Sequence, residues 1–485
     1  MNQELLQHQP RQLWQHFENL NAVPRPSKHE SRVIEFMKQF GIGLGLKTIV
    51  DAVGNVIIQK PATPGMENRV GVVLQGHLDM VHQKNADTAF DFSSQGIQSW
   101  IDSGWLKAKG TTLGADNGVG VASIMAVLAA TDIKHGPLEG LFTIDEETGM
   151  TGAFKLQPGQ LQGQILLNTD TEDEGELCIG CAGGIDTNVE MKYDQISPRA
   201  GLAGKISVTG LRGGHSGCEI HLGRGNANKI MNRLLWSFAE QELQIAVIDG
   251  GSLRNAIPRE SFAVVVIDTH RESAFRQQLQ NLSETIRAEL AATEPDLKIQ
   301  WEPGAMPPQV MDRQSQQNLL NAIYAAPNGV LRMSDQVAGL VETSTSLARV
   351  HVEHGKALVQ FLTRSSVETA KQDLANMISA TFELSGAVVV HAGSYPGWKP
   401  NADSKILALM QQIYQDIFGH RPKVNAVHAG LECGIIGSHY AGMDMISFGP
   451  TIKNPHSPDE KCEIASVEKY WRFLLATLER VPVSK

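Results

Sequence analysis

The chain has 485 residues, of which 52 are acidic and 42 are basic, so its formal net charge is −10. Hydrophobic residues make up 42% of the sequence and charged residues 19%, which is ordinary globular usage and excludes a disordered, collagenous or coiled-coil chain. The acidic balance argues against sequence-independent binding to nucleic acid or to an anionic membrane, because both require a surplus of lysine and arginine.

The cysteines and the apolar runs indicate a cytoplasmic protein. Five cysteines in a chain of this length are too few and too scattered for a disulfide framework, and a reducing compartment suits them. The N-terminal residues are polar and lack the apolar core of a secretory signal. The longest apolar run, 119–130, contains glycine and serine and is far shorter than the ~20 residues of a membrane span.

The first part of the chain predicts alternating helices and strands. Ser27 and Glu30 form the pattern of a capping box before apolar residues at helical spacing, which predicts a helix over about 28–40. Short apolar runs predict buried strands at 70–74, 141–144 and 165–167. A helical stretch at 119–131 lies between the first two strands. Such alternation is typical of an α/β sheet with parallel strand pairs.

Polar side chains that can bind metal follow these strands and recur near the C-terminus. They are His77, Asp79, Asp116, Glu146, Glu147, Asp170 and His456. Ligands of parallel sheets bind beyond the carboxyl ends of the strands, and imidazole and carboxylate groups bind zinc in hydrolytic sites. Because Glu146 and Glu147 are adjacent, one can bind metal while the other faces the attacking water. Asp79 lies two residues after His77 and is placed to orient its imidazole.

From about residue 187 the pattern changes to an α+β segment with a weak internal repeat. A strand at 262–267 followed by a long helix parallels a strand at 357–362 followed by another helix. Alternation of the first kind then returns. We therefore predict a discontinuous catalytic domain, 1–186 and 400–485, which is interrupted by an inserted domain, 187–399, with two similar halves.

The polar motifs resemble those of a known enzyme family. They are His77-Leu78-Asp79, Gly114-Ala115-Asp116-Asn117-Gly118, Asp145-Glu146-Glu147-Thr148-Gly149, Asn168-Thr169-Asp170 and His456-Ser457-Pro458-Asp459. In kind and order they are similar to the metal motifs of the co-catalytic zinc exopeptidases, which include peptidase T, carnosinase and the aminoacylases. The resemblance covers essentially the whole chain. It implies an α/β zinc-exopeptidase catalytic domain, with a mixed, largely parallel sheet flanked by helices, and an inserted α+β lid domain.

The resemblance also implies a centre of two zinc ions per subunit. The first ion would be bound by His77 and Asp170, the second by Glu147 and His456, and both by the bridging Asp116. Cobalt or manganese can substitute, because these metals accept the same imidazole and carboxylate ligands.

The activity that the resemblance implies is hydrolysis of unblocked dipeptides, including Xaa-His dipeptides such as carnosine. A hydroxide that bridges the two metals would attack the peptide carbonyl. Glu146 would be the general base that takes the proton from the bridging water, and Asp79 would position His77.

The inserted domain would supply further catalytic and substrate-binding residues. His215, in the motif Gly213-Gly214-His215-Ser216-Gly217, matches the family histidine that stabilises the oxyanion, often from a partner subunit. Asn255 and Arg364 resemble residues that bind the carboxylate of the substrate, a task that suits the bidentate guanidinium. Glu432 lies in a family glycine turn and is expected to line the pocket. A homodimer is expected, and the second half of the inserted domain would either replace a partner's lid or enlarge the dimer interface.

Two other functions stay open at this point. One is a deacylase of N-acyl amino acids on the same fold, and the other is a non-catalytic protein that binds metal or peptide. Glu146 speaks against the second, because a binding protein needs no base beside its metals. The sequence has no Gly-x-Ser-x-Gly nucleophile elbow, no phosphate-binding loop and no His-Glu-x-x-His zinc helix.

Overall fold

The computed structural model describes residues 2–239 and 243–484, which form two compact units. Unit 1 comprises Met1–Gly180, Pro400–Ala426 and Leu431–Lys485, and unit 2 comprises Cys181–Lys399 and Val427–Gly430. Unit 2 therefore begins at 181 and its main segment ends at 399, whereas the sequence predicts an inserted domain over 187–399 without 427–430. Within the described residues, every helix is too short or too polar to span a bilayer.

The first segment of unit 1 contains most of its regular structure. Its helices are α1 (Arg11–Asn21), α2 (Ser31–Gly43), α3 (Ala115–Ala129), α4 (Glu146–Gly149) and α5 (Thr151–Lys155). Its strands are β1 (Lys47–Val50), β2 (Val56–Lys60), β3 (Val72–His77), β4 (Ser99–Asp102), β5 (Trp105–Ala108), β6 (Leu138–Thr143), β7 (Ile165–Asn168) and β8 (Glu176–Cys181).

Unit 2 follows in the chain. Its helices are α6 (Ala227–Phe238), α7 (Glu272–Glu289), α8 (Arg313–Ala325) and α9 (Glu368–Glu383). Its strands are β9 (Gly183–Lys192), β10 (Gln195–Ile196), β11 (Leu202–Thr209), β12 (Gly214–His215), β13 (Gln244–Gly250), β14 (Ala256–Ile257), β15 (Ser261–Ile267), β16 (Lys298–Pro303), β17 (Val310–Met311), β18 (Gly329–Met333), β19 (Val341–Glu353), β20 (Lys356–Ser365) and β21 (Val388–Tyr395).

The chain then returns to unit 1. The returning helices are α10 (Lys405–Phe418), α11 (Glu432–His439) and α12 (Ile464–Arg480). The returning strands are β22 (Lys423–Val427), β23 (Asp444–Ser447), β24 (Ile452–Lys453) and β25 (Lys461–Glu463).

The main sheet of unit 1 confirms the predicted α/β fold. Its strand order is β1-β2-β6-β3-β7-β23-β8-β22, and the three pairs at its centre, β6-β3, β3-β7 and β7-β23, are parallel. Every residue of β3, β6 and β7 is buried, as expected for parallel strands covered on both faces. Helix α3, which packs on β3, is buried along most of its length. The carboxyl ends of the central strands therefore meet at one edge.

A second, smaller sheet of unit 1 has the order β24-β25-β5-β4. Strands β24 and β25 form an antiparallel hairpin, and β25 also pairs with β5. The hairpin brings the loop that contains His456 beside the chain that leads from β5 into α3.

The large sheet of unit 2 has a nearly symmetric order. Its path is β16-β11-β15-β13-β19-β20-β9-β21, with β18 paired to β19 off this path. A strand, a helix and a strand form one side, β15-α7-β16, and the other, β20-α9-β21. Strands β13 and β19 pair antiparallel at the middle. The helices of this unit and the inner residues of the sheet form one apolar core.

The predicted capping box at the start of α2 is wrong. The Ser27 hydroxyl donates to Asp79 at 2.8 Å, so it does not cap a helix. The Lys28 backbone has a φ of +70° and its N–H donates to the Glu30 carboxylate. The residues from Ser27 to Glu30 therefore form a turn, and the helix begins at Ser31.

Candidate metal centre

Five neighbouring segments position the five candidate ligands of unit 1. Strand β3 ends at His77, and Asp170 follows β7 by two residues. Glu147 lies in the short helix α4 just after β6. Asp116 lies at the start of α3, where its backbone is still non-helical, and His456 lies in the loop between β24 and β25. Because β3 pairs in parallel with β6 and β7, three of these segments leave the sheet at the same edge.

The five side chains form two groups that share Asp116. His77 Nε2 lies 3.1 Å from Asp116 Oδ1 and 3.3 Å from Asp170 Oδ1. His456 Nε2 lies 3.3 Å from Asp116 Oδ2 and 3.0 Å from Glu147 Oε2. Each group contains one imidazole and two carboxylates, and the two oxygens of Asp116 face different groups. This is the arrangement required of a carboxylate that bridges two metal ions.

The unsatisfied oxygens at this position fit divalent cations. Glu147 Oε1 and Asp170 Oδ1 are buried and have no hydrogen-bond partner among the described residues. Burial raises the pKa of both carboxyl groups, and the negative charge of Asp116 raises them further. Donor atoms of each group also lie within 4.8 Å of one another. Imidazole and carboxylate ligands at this spacing suit zinc, cobalt or manganese.

The carboxylates also favour positive charge on both histidines. Hydrogen bonds with Asp116 and Glu147 raise the pKa of His456 to about 11. Burial opposes the charged form of His77, but Asp170 and the other neighbouring carboxylates hold its pKa well above the ordinary value. A metal ion would compete with protons for both imidazoles, so metal affinity should rise with pH.

Asp79 connects the first histidine to the Glu146–Glu147 turn. Its side chain is fully buried, and its Oδ1 lies 3.4 Å from His77 Nδ1. The same oxygen accepts the Glu146 N–H at 3.0 Å, and Oδ2 accepts the Ser27 hydroxyl. Asp79 therefore restrains both a candidate ligand and the backbone of the candidate base.

Glu146 lies beside the candidate ligands. One oxygen of its carboxyl group belongs to a cluster with His77 and Glu147. Burial raises its pKa well above the ordinary value, and the nearby acidic groups Asp170, Glu432 and Glu147 add to the shift. A carboxyl group with a raised pKa can both accept and donate a proton near neutral pH, which suits a general acid and base.

Glu432 lies at the start of α11 and is only 2% exposed. Its Oε2 accepts hydrogen bonds from Gln75 Nε2 at 2.7 Å and from the Thr143 hydroxyl at 2.6 Å. These partners belong to β3 and β6, close to the ends of those strands. These contacts support the strand ends through Oε2, whereas Oε1 is buried with no partner among the described residues, so the predicted substrate contact stays a prediction.

In unit 2, His215 and Asn255 lie on adjacent segments. His215 in β12 pairs with Ala256 in β14, and Ser216 N–H donates to the Asn255 carbonyl. The Nδ1 atom of His215 accepts the N–H groups of Gly217 and Cys218 at 3.2 and 3.0 Å. The proton of the neutral ring therefore lies on Nε2, which is the donor that an oxyanion requires.

Arg364 lies in β20 and is buried in unit 2. Its Nη1 donates to the Tyr395 hydroxyl at 2.8 Å, whereas its Nε has no partner among the described residues. A Cβ atom at Gly217 would lie 3.0 Å from this side chain and 2.2 Å from the His428 carbonyl oxygen. The turn that follows His215 is therefore packed against Arg364 and His428, and only glycine fits there.

Sequence reasoning missed His428 and Ser216. His428 is buried and its Nε2 lies 2.7 Å from the Ser344 hydroxyl, while the buried Ser216 hydroxyl has no partner among the described residues. Ser216 lies in the motif of His215, where sequence reasoning gives it no role, and His428 lies four residues before Glu432, outside the motifs that carry the resemblance. We name His215, Ser216, Arg364 and His428 the donor cluster of unit 2.

Comparison with known proteins identifies the family. A family model described as Peptidase family M20/M25/M40 matches residues 73–480. The chain belongs to this peptidase family. The family resemblance that the motifs carry is thus confirmed.

Two relatives of this peptidase match over their whole length. The chain is 44% identical over 482 residues to the cytosol non-specific dipeptidase of Escherichia coli K12, covering 99% of each chain. The crystal structure of aminoacylhistidine dipeptidase from Vibrio alginolyticus matches with a TM-score of 0.95 and 47% identity, again over 99% of each chain. Aminopeptidase PepT from Bacillus cereus shares the fold, with a TM-score of 0.58 and 16% identity over 98% of this chain and 99% of that one.

Proposed function

We propose that the protein hydrolyses unblocked dipeptides, among them Xaa-His dipeptides such as carnosine, with two zinc ions per subunit. The observation that carries the proposal is Asp116, whose two oxygens face two separate groups of one imidazole and one further carboxylate each. The full-length similarity to two dipeptidases supports the substrate class. Cobalt or manganese would serve in place of zinc.

We assign the proposed ligands to the two ions according to the two groups of side-chain contacts. One ion would be bound by His77 and Asp170, the other by Glu147 and His456, and both by Asp116. When bound, such a pair supplies Lewis-acid polarisation of the peptide carbonyl and makes water acidic enough to attack near neutral pH.

Proton transfer falls to Glu146. Its carboxylate would take the proton of the attacking water and then donate it to the nitrogen of the leaving amino acid, as its raised pKa permits. Asp79 would act as a positioning residue, because it accepts the Glu146 N–H and faces the His77 ring. Neither role requires Asp79 to touch the substrate.

The donor cluster would bind the two negative groups of the reacting substrate, which are the oxyanion and the C-terminal carboxylate. The Nε2–H group of His215 would donate to the oxyanion that forms at the attacked carbonyl, from the same subunit or from a partner. The Nε of Arg364 has no partner among the described residues, so this guanidinium is the proposed site for the C-terminal carboxylate, with Asn255 as a second contact.

A hydrolysis panel with parallel metal analysis tests the proposal. The substrates are Xaa-His dipeptides, other dipeptides, tripeptides and N-acetyl amino acids, and we expect turnover of the dipeptides with two equivalents of zinc. Turnover of N-acetyl amino acids alone would identify a deacylase instead. Chelation should abolish hydrolysis and added metal should restore it, and metal binding without any hydrolysis would mean a non-catalytic protein.

The homodimer and the cytoplasmic location also stay proposals. The Escherichia coli relative is named a cytosol dipeptidase, and the few, scattered cysteines of this chain indicate a reducing compartment. Light scattering tests the oligomeric state, since a fully active monomer would contradict both the dimer and a His215 supplied by a partner.

A further inference from the structure

Glu460 holds four consecutive backbone N–H groups with one buried carboxylate. Glu460 is only 2% exposed. Oε2 accepts the N–H groups of Leu113 and Gly114 at 2.7 and 3.0 Å, and Oε1 accepts those of Ala115 and Asp116 at 2.8 and 3.2 Å. Converging backbone N–H groups form a concave anion site, and here the anion comes from the chain itself.

The small sheet of unit 1 explains this position. Glu460 directly precedes β25, and Lys461 in β25 pairs with Lys107 in β5. The start of β25 therefore lies beside the end of β5, from which the chain continues into the loop before α3. Gly114 has a φ of +68°, a conformation that glycine adopts without strain and that turns its N–H toward the carboxylate.

Arg25 fixes the same loop from its carbonyl side. The guanidinium is buried, and its Nη2 donates to the Gly114 carbonyl at 2.6 Å. Its Nη1 donates to the carbonyls of Leu78 and Asp79 at 3.2 and 3.1 Å. The loop that carries Asp116 is thus held by a buried anion at its N–H groups and by a buried cation at a carbonyl.

We propose that Glu460 is a positioning residue that fixes the backbone of Asp116 and thereby sets the affinity for both metal ions. The loop between β24 and β25 then acts twice, because His456 binds one ion directly and Glu460, four residues later, holds the ligand that the two ions share. This inference rests on the bridging role of Asp116 under the proposed function. Partners that orient a metal ligand typically contribute about 10- to 100-fold to metal affinity.

The test compares Glu460→Gln with a matched control, Glu139→Gln. In the first variant, the amide that replaces the carboxylate would turn its N–H₂ group toward two backbone N–H groups. Glu139 is also a buried carboxylate of unit 1 that accepts two backbone N–H groups, those of Gln162 and Gly163, at 2.7 and 2.8 Å. It belongs to none of the candidate metal groups, so its variant measures the loss of a buried carboxylate clamp alone.

Zinc affinity of the metal-free proteins is measured by competition with a chromophoric chelator, together with thermal unfolding. We expect Glu460→Gln to weaken binding of both ions about 10- to 100-fold, with part of the activity restored by excess zinc. Glu139→Gln should lower thermal stability and leave the zinc affinity unchanged. If Glu460→Gln binds both ions with unchanged affinity, the inference is overturned.

Two further variants separate the possible failures. If Glu460→Gln does not fold, Glu460→Asp keeps two acceptor oxygens on a shorter side chain and should give an intermediate zinc affinity, and an unchanged affinity would overturn the inference. Asp116→Asn tests the bridge itself. Loss of zinc in Asp116→Asn with normal affinity in Glu460→Gln refutes only the positioning role, whereas normal affinity in Asp116→Asn refutes the proposed metal centre.

Discussion

The metal centre of unit 1 and the donor cluster of unit 2 are built on opposite principles. In unit 1, carboxylate oxygens surround two histidines, and Glu147 Oε1 and Asp170 Oδ1 are buried without a hydrogen-bond partner in the described part of the chain. In unit 2, Arg364, His215 and Ser216 are donors, and the guanidinium Nε and the serine hydroxyl have no partner among the described residues. The first set therefore requires positive charge and the second requires negative charge, which are the two charges that metal ions and a peptide carboxylate would bring.

The largest expected effect is a loss of kcat in a variant that distinguishes proton transfer from metal binding in unit 1. Glu146→Gln keeps the shape of the side chain and removes the base, so we expect kcat to fall about 10²- to 10⁴-fold. The zinc content, measured by mass spectrometry, should stay at two ions. Near-normal turnover with both ions bound would show that Glu146 is not the base.

A smaller effect is expected from the donor cluster. Arg364→Lys keeps the charge and loses the fork of donors, so kcat/KM for a dipeptide should fall about 10- to 100-fold, the value of a charged hydrogen bond. Most of the change should appear in KM. Dipeptide amides provide the control because they lack the carboxylate, and an equal loss for amides would show that Arg364 has another role.

A pH-dependent effect on stability should come from His428. Burial, together with the positive charge of Arg364, lowers its pKa from the ordinary 6.5 to about 3. Between these values the unfolded chain binds a proton that the folded chain does not, so His428 lowers stability as pH falls from 6.5 toward 3. At pH 5 this amounts to about 2 kcal/mol.

Denaturant unfolding at pH 7.5 and pH 5 checks the contribution of His428. The free energy of unfolding of the wild type should fall by about 2 kcal/mol more than that of His428→Gln between the two pH values. Equal losses in both proteins would mean that the buried imidazole does not remain neutral.

The smallest expected effect concerns Glu432 in unit 1. If this side chain supports β3 and β6 without touching substrate, Glu432→Gln should change the KM for dipeptides by no more than about twofold. Thermal unfolding is the sensitive measurement here, since hydrogen bonds with Gln75 and Thr143 would be altered. A large rise in KM would return Glu432 to the substrate contacts that the sequence predicts.

The sequence predicts which side chains lie close together when those side chains end or follow neighbouring parallel strands. His77 and Asp170 end or follow parallel strands, so their convergence follows from the sheet. Glu460 gave no such signal, because its partners are main-chain N–H groups 344 to 347 residues earlier. The prediction for Ser27 is wrong, because the pattern of a capping box does not show that the hydroxyl will donate to the buried carboxylate of Asp79.

The strand orders of the main sheet of unit 1 and of the large sheet of unit 2 have a consequence for synthesis on the ribosome. Among the described residues, strand β9 pairs with β20 and β21, which lie more than 150 residues later in the chain. In the main sheet of unit 1, β23, whose first residue is Asp444, lies between β7 and β8. Neither sheet can close until late segments emerge, so the nascent chain holds exposed strand edges for most of its translation. Such distant pairing slows folding, and the protein should depend on protection of those edges until β23 is available for pairing.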